Sequence, residues 1–193
     1  MDEHEPLKMR SWLFAPGDSD RKMEKAANSD ADIALFDLED AVAPDQKPAA
    51  RRMVRAFLDN ADGRNRLWVR INPLDGADAL ADLAAVMPGR PGGIMLPKSR
   101  GRHDVELLDH YLSAFEAASD IAIGSTRVIA LVTETAGAMF TTGDYAGAPR
   151  LVAMSWGAED LADSIGASEN CNPDGSYGFT YELARGLCLL GAV

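Results

Sequence analysis

Short, continuously apolar runs alternate along the chain with longer stretches whose apolar positions recur every three to four residues. The runs at 10–14, 33–38, 67–71, 93–96, 128–132 and 151–155 read as strands, because each is four to six residues long and bounded by turn-forming residues. Helical periodicity fills the intervals. One helix is expected over about 19–27, capped by Asp18 or Ser19, and another over about 47–58, opening near Pro48. An Ala-rich helix follows over about 77–87. The stretch 103–118 sets Val105, Leu107, Leu108, Tyr111, Leu112 and Phe115 at helical spacing. Further helices are expected over 137–145 and 177–190, while Asn, Pro, Asp and Gly clusters at 72–76, 88–92 and 170–175 mark loops.

Strands that are apolar on both faces, each followed by a helix, argue for a parallel sheet covered by helices, with right-handed crossovers. Two architectures satisfy this pattern: an open doubly wound sheet and a closed (β/α)8 barrel. No GxGxxG follows the first strand, which weakens a dinucleotide-binding sheet. Charged residues at the exits of several strands fit a barrel, whose βα loops surround one mouth. A complete barrel needs eight strands and typically about 250 residues, and this chain of 193 residues shows six βα units. The expectation is therefore an α/β fold of the TIM-barrel type, with residues 1–193 forming a single barrel domain that lacks the last two βα units.

Composition narrows the partners. A hydrophobic content of 47% with 25% charged residues is that of an ordinary soluble domain. The net charge of -11 argues against nucleic acid and against an anionic membrane surface. It leaves an anionic substrate open, since an arginine and a divalent metal reverse the field inside one cleft. No apolar run is long enough to span a bilayer, and the acidic start Met1 to Pro6 lacks the basic and apolar regions of a signal peptide. The two cysteines, Cys171 and Cys188, have no metal-ligand spacing and read as free thiols in a reducing cytoplasm, so the expected location is cytoplasmic.

Candidate chemistry lies where the apolar runs end. The second run closes on Asp37-Leu38-Glu39-Asp40 and the fifth on Glu134, while Trp156-Gly157-Ala158-Glu159-Asp160 follows the sixth. The third run closes on Arg70. Desolvated carboxylates are costly unless a metal or a cation compensates them, so one shared polar site at the sheet's end is expected. Each residue also has a purely structural reading. Glu134 and Asp160 precede helical segments and suit helix caps. Arg70 presents a planar fork for a carboxylate or oxyanion, yet equally suits an ion pair with Asp37 or Glu39. Asp37 and Glu39 share one face of a strand, and Asp40 reads equally as a cap. Lys98, after Pro97 at a strand exit, reads as electrostatic support or as a solvent lysine. Arg10 either points into the mouth from below or pairs with Asp37. Trp12, Trp68 and Trp156 read as packing residues.

Six segments in order resemble the citrate lyase β-subunit and malyl-CoA lyase family, the CitE-type branch of the HpcH/HpaI aldolase superfamily. They are Arg10-Ser11-Trp12-Leu13-Phe14-Ala15-Pro16-Gly17, Phe36-Asp37-Leu38-Glu39-Asp40-Ala41-Val42, Val69-Arg70-Ile71-Asn72-Pro73, Met95-Leu96-Pro97-Lys98, Glu134-Thr135-Ala136-Gly137 and Gly157-Ala158-Glu159-Asp160-Leu161. Each is weak alone; the ordered set covers nearly the whole chain. The resemblance implies a (β/α)8 barrel and Mg²⁺ dependence. It also implies cleavage or formation of a 3-hydroxyacyl thioester such as citryl- or malyl-CoA, or its acyl-carrier-protein counterpart, to a 2-oxo acid and an acyl thioester. By position, Glu134 and Asp160 resemble the metal ligands, Arg70 the substrate-binding arginine and Asp37 to Asp40 the acidic wall beside the metal; Arg70, Asp37 and Glu39 are the catalytic candidates. Arg70, Arg10 and Lys98 are the substrate-binding candidates.

Pyruvate aldolases of the superfamily resemble an Asp-Gly-Glu-His pattern after the second strand. Asp37 to Asp40 has no histidine, and His4, His103 and His110 lie elsewhere, which favours the thioester-lyase branch. Acyl-CoA or acyl-carrier-protein thioesters, a 2-oxo acid and further copies of the chain, in a trimer or hexamer, are the expected partners. Two alternatives stay open: a metal-dependent aldolase acting on free 2-oxo acids, and a truncated, non-catalytic barrel subunit.

Overall fold

A computed structural model describes residues 8–193; the acidic start on which the signal-peptide reading rests, with His4, lies outside the described residues. Six parallel strands form one sheet: β1 (Trp12–Pro16), β2 (Ile33–Asp37), β3 (Leu67–Arg70), β4 (Gly93–Leu96), β5 (Arg127–Leu131) and β6 (Leu151–Ser155). Their spatial order is their sequence order, β1-β2-β3-β4-β5-β6. That order decides between the two architectures. A doubly wound sheet reverses direction at a switch point, whereas strands laid down one after another belong to a barrel wall. Among the described residues, β1 and β6 each pair along one edge only.

Strand alternation sorts side chains into two layers. Ile33, Leu35, Trp68, Met95, Ile129 and Leu131 form an inner apolar cluster, joined by Met9, Trp12 and Ala153. Ala34, Phe36, Val69, Ile94, Leu96, Val128 and Ala130 face outward into a larger core beneath the helices. The indole of Trp68 fills the interior so fully that a Cβ at Gly93, on the adjacent strand, would lie 2.4 Å from its ring. The crossovers are α1 (Asp20–Ala27), α2 (Lys47–Asn60), α3 (Ala79–Val86) and α4 (Arg102–Ala118); α5 (Glu159–Ile165) and α6 (Phe179–Gly191) follow β6. Helix α2 docks through Ala50, Val54 and Leu58, and α4 through Val105, Leu108 and Leu112. These are spacings of three and four residues, and each large apolar side chain so buried contributes roughly 1.5–3 kcal/mol. None of the helices among the described residues is long and apolar enough to cross a membrane.

Three stretches differ from the sequence expectation; the first strand, expected over 10–14, runs Trp12–Pro16. The helix expected over 137–145 is a short 3-10 turn, Gly137–Phe140, followed by turns. Thr141, Thr142 and Gly143 are poor helix formers, and the Thr141 hydroxyl instead donates to the carbonyls of Arg100 and Ala138. Conversely, α5 begins at Glu159, so Asp160 sits within the first turn of a helix rather than ahead of one.

Candidate active site

The strands deliver their charged residues to one end. On β2 the inward series Ile33 and Leu35 continues with Asp37 and then Glu39; on β3, Trp68 is followed by Arg70. Asp37 and Arg70 are register partners, so the sheet itself sets them side by side. Arg70 Nε donates to Asp37 Oδ1 at 2.7 Å and Nη2 to Oδ2 at 2.6 Å, while Nη1 lies 2.9 Å from Glu39 Oε2. Phe14 covers the guanidinium at 5.1 Å from its ring centroid. Burial opposes the charge on Arg70, but Asp37 and Glu39 hold its pKa above the ordinary arginine value. Both oxygens of Asp37 are further occupied by backbone N–H groups, of Glu39 at 2.9 Å and Ala41 at 3.0 Å.

Lys98 organises the opposite side. Its backbone is left-handed, with φ of 50°, a conformation that costs a non-glycine residue about 1 kcal/mol. Neighbouring bonds hold it there: Ser99 N–H donates to the Leu131 carbonyl, and the Ser99 and Tyr145 hydroxyls share a 2.9 Å hydrogen bond. Lys98 N–H thereby points at Glu134 Oε2, 2.6 Å away. Its ammonium reaches Glu39 Oε1 at 2.5 Å, Asp160 Oδ1 at 2.9 Å and Asp40 Oδ2 at 3.4 Å. One residue thus touches both Glu134 and Asp160. Burial opposes the ammonium, but its hydrogen bonds to Glu39 and Asp160 keep Lys98 above the usual lysine range.

Glu134 is 4% exposed. Gly157 passes so close that a Cβ there would lie 3.1 Å from Glu134 Oε1, so the glycine leaves the space this oxygen occupies. Burial, aided by the charges of Asp160 and Glu39, pushes the Glu134 carboxyl up to about 8, against the Lys98 N–H that stabilises its ionised form. Burial likewise raises Glu39, with Arg70 and Lys98 opposing. Glu39 Oε2 makes no hydrogen bond of good geometry although buried beside Arg70.

Arg70, Asp40, Glu134 and Asp160 line one cavity of about 630 Å³, with Met95, Ile129 and Leu131 as its apolar floor and Phe14 and Trp156 on its walls. Five carboxylates, Asp37, Glu39, Asp40, Glu134 and Asp160, gather here around two cations, Arg70 and Lys98. No group of three or more metal-ligating side chains is assembled among the described residues. A carboxylate pair in a field of surplus negative charge still suits a hard divalent ion, since Mg²⁺ commonly uses one or two carboxylates and completes its shell with water or substrate.

Arg10 is not brought to this place. Its side chain is 85% exposed at the opposite end of the sheet, 4.0 Å from Asp32, whose carboxylate also accepts from the Arg10 and Ser11 N–H groups. His103 and His110 lie exposed on α4. The sequence reading missed the polar layer behind the site. Asn72 donates to the Leu38 carbonyl at 2.8 Å and to buried Asp82 on α3, while Arg51 on α2 pairs with Asp82 at 2.7 Å. Lys47 completes the layer by a hydrogen bond to Asn72. Asn72-Pro73 directly after a strand was the available signal.

Residues 10–177 match the HpcH/HpaI aldolase/citrate lyase family. The chain is 34% identical over 190 residues to a (3S)-malyl-CoA thioesterase of Cereibacter sphaeroides, covering 98% of this chain and 61% of that protein. It is 38% identical over 181 residues to a citrate lyase subunit beta-like protein of Mycobacterium tuberculosis, covering 94% and 59%. The crystal structure of CitE from M. tuberculosis in complex with magnesium, acetoacetate and coenzyme A aligns with a TM-score of 0.79 at 36% identity, over 96% of this chain and 63% of that one. The chain therefore spans about three fifths of the length of these curated relatives.

Proposed function

The chain belongs to the HpcH/HpaI aldolase/citrate lyase family, and from that premise we propose that it is a Mg²⁺-dependent carbon–carbon lyase. It cleaves or forms a 3-hydroxyacyl thioester, such as citryl- or malyl-CoA or the carrier-protein equivalent, giving a 2-oxo acid and an acyl thioester. The observation that carries the reading is the meeting of Glu134 and Asp160 on Lys98 within the cavity that also holds Arg70. This reading takes the 193 residues as one barrel domain acting in a homo-oligomer.

Glu134 and Asp160 are the residues that would hold the metal. When bound, Mg²⁺ supplies Lewis-acid polarisation of the substrate oxygens. Arg70 remains charged throughout and stabilises negative charge developing on the substrate hydroxyl oxygen. Asp37, with both oxygens already occupied, fixes the plane of Arg70. Glu39 is the weaker partner of Arg70, so the substrate carboxylate takes its place on Nη1. Loss of the hydroxyl proton to water drives scission of the carbon–carbon bond, whose electron pair passes to the thioester enolate, and the enolate carbon then takes a proton from water. The apolar floor limits water around these charges, which strengthens each interaction.

The test is incubation of the chain with malyl-CoA and with citryl-CoA, with and without Mg²⁺, following glyoxylate or oxaloacetate. Mg²⁺-dependent release that disappears in Glu134→Ala supports the assignment; full activity in that variant overturns it. The C. sphaeroides relative favours a second reading, thioester hydrolysis. It is distinguished by free CoA appearing with the hydroxy acid intact and no 2-oxo acid formed.

A further inference from the structure

Lys98 holds one oxygen of each proposed metal-binding carboxylate, but by different means. The backbone N–H takes Glu134 Oε2 at 2.6 Å, and the side-chain ammonium takes Asp160 Oδ1 at 2.9 Å. The first bond is fixed by the left-handed backbone at this position. The second ends a flexible four-carbon stem whose side chain is 28% exposed and whose charge is shared among Glu39, Asp40 and Asp160. A Lys ammonium is a mobile point charge that exchanges partners at small cost, and at this position it answers the same surplus of carboxylate charge that a divalent ion would.

We propose that the Lys98 ammonium is a built-in countercation that competes with the divalent ion for Asp160 and so sets the metal affinity of the site, while the Lys98 N–H positions Glu134 whether or not the ion is present. This rests on the metal reading given above. Lys98 is in this sense a positioning residue and a determinant of metal affinity. Swinging away from Asp160, its ammonium remains tethered to Glu39 and Asp40, so the exchange leaves no lysine charge stranded. Arg70 offers no equivalent device, because its fork is locked on both oxygens of Asp37.

Two variants separate the two halves of the residue. Lys98→Met removes the charge and keeps the stem; Lys98→Gly removes the whole side chain while retaining the N–H and easing the left-handed backbone. Mn²⁺, which shares the oxygen preference of Mg²⁺, is titrated into the purified chain by calorimetry, with thermal melts recorded alongside. Both variants are expected to bind Mn²⁺ about tenfold more tightly than the parent, on the scale of outer-sphere effects at metal sites. Their melting temperatures should fall without metal and gain more than the parent on its addition. Lys98→Arg, which keeps the charge, should bind no tighter than the parent.

If the parent binds no Mn²⁺, the metal reading itself fails. If the parent binds but both neutral variants bind equally or more weakly, the competition is overturned and the metal reading stands. If neither neutral variant folds even with saturating Mn²⁺, the ammonium is structural and the proposal is likewise overturned.

Discussion

Two buried glutamates sit at opposite ends of the sheet and behave in opposite ways. Glu116 on α4 is fully buried beneath the strand N-termini. It accepts from the N–H groups of Gly124 and Thr126, each at 2.8 Å, and from Arg150 Nη1 and Nη2 at 2.7 and 2.9 Å. Glu134 is nearly as buried but accepts one N–H and faces further carboxylates. Burial raises both pKa values. At Glu116 the hydrogen bonds from Arg150, Thr126 and Gly124 outweigh it and bring the carboxyl to about 2; at Glu134 nothing does, and it stands at about 8. Depth does not fix the behaviour of a buried acid; the number of donors aimed at it does. The lower network is complete and serves the fold. The upper one has capacity left for a ligand.

The sharpest way to break this contrast is to neutralise each glutamate in turn. Glu134→Gln should lower Mg²⁺-dependent turnover by at least about 100-fold, the upper range for disrupting a metal's surroundings. Its urea-unfolding free energy near neutral pH should rise, because the fold raises the Glu134 carboxyl above its unfolded value and a neutral side chain removes that cost. Glu116→Gln should do the reverse. Arg150, 3% exposed and left with Asp109 as its carboxylate partner, would lose about 3 kcal/mol of unfolding free energy, with Mn²⁺ affinity unchanged.

Acid sharpens the comparison further. A carboxyl depressed in the folded state contributes stability that is full above the unfolded glutamate pKa of about 4.3 and lost as pH falls through the folded value. For Glu116 that folded value is about 2. Urea midpoints measured across this window should therefore fall more steeply in the parent than in Glu116→Gln. The smallest effect is expected at Arg10. Arg10→Ala should shift stability by less than about 0.5 kcal/mol, with no change in calorimetric Mn²⁺ affinity, since the side chain lies in solvent beside Asp32.

Much of the fold was legible because local and global signals agree. The apolar runs at 33–38, 93–96 and 151–155 coincide with β2, β4 and β6 to within a residue, and a strand's period of two places Asp37 and Glu39 on the same side. The acidic exits marked the end at which the charged residues gather. What stayed hidden depends on long-range pairing. Glu116, Arg150 and Thr126 are far apart in sequence, and nothing local signals that they meet. Arg10 read as part of the first strand, but β1 starts at Trp12 because Asp32 captures the N–H groups of Arg10 and Ser11. The left-handed backbone of Lys98 had no glycine to announce it; it is imposed through its neighbour Ser99, which Leu131 and Tyr145 hold from other parts of the chain.

The strict alternation of β2 also tells where this chain tolerates change in length. Removing one residue between Ile33 and Asp37 would turn the acid toward α2 and bring Leu38 to its place at the mouth, exchanging a charge and an apolar side chain between environments that each reject the newcomer. The same deletion at 75–77, the exposed tip of the loop between β3 and α3, would merely shorten a surface arc. Length variation should therefore accumulate in the connections and be absent from the staves.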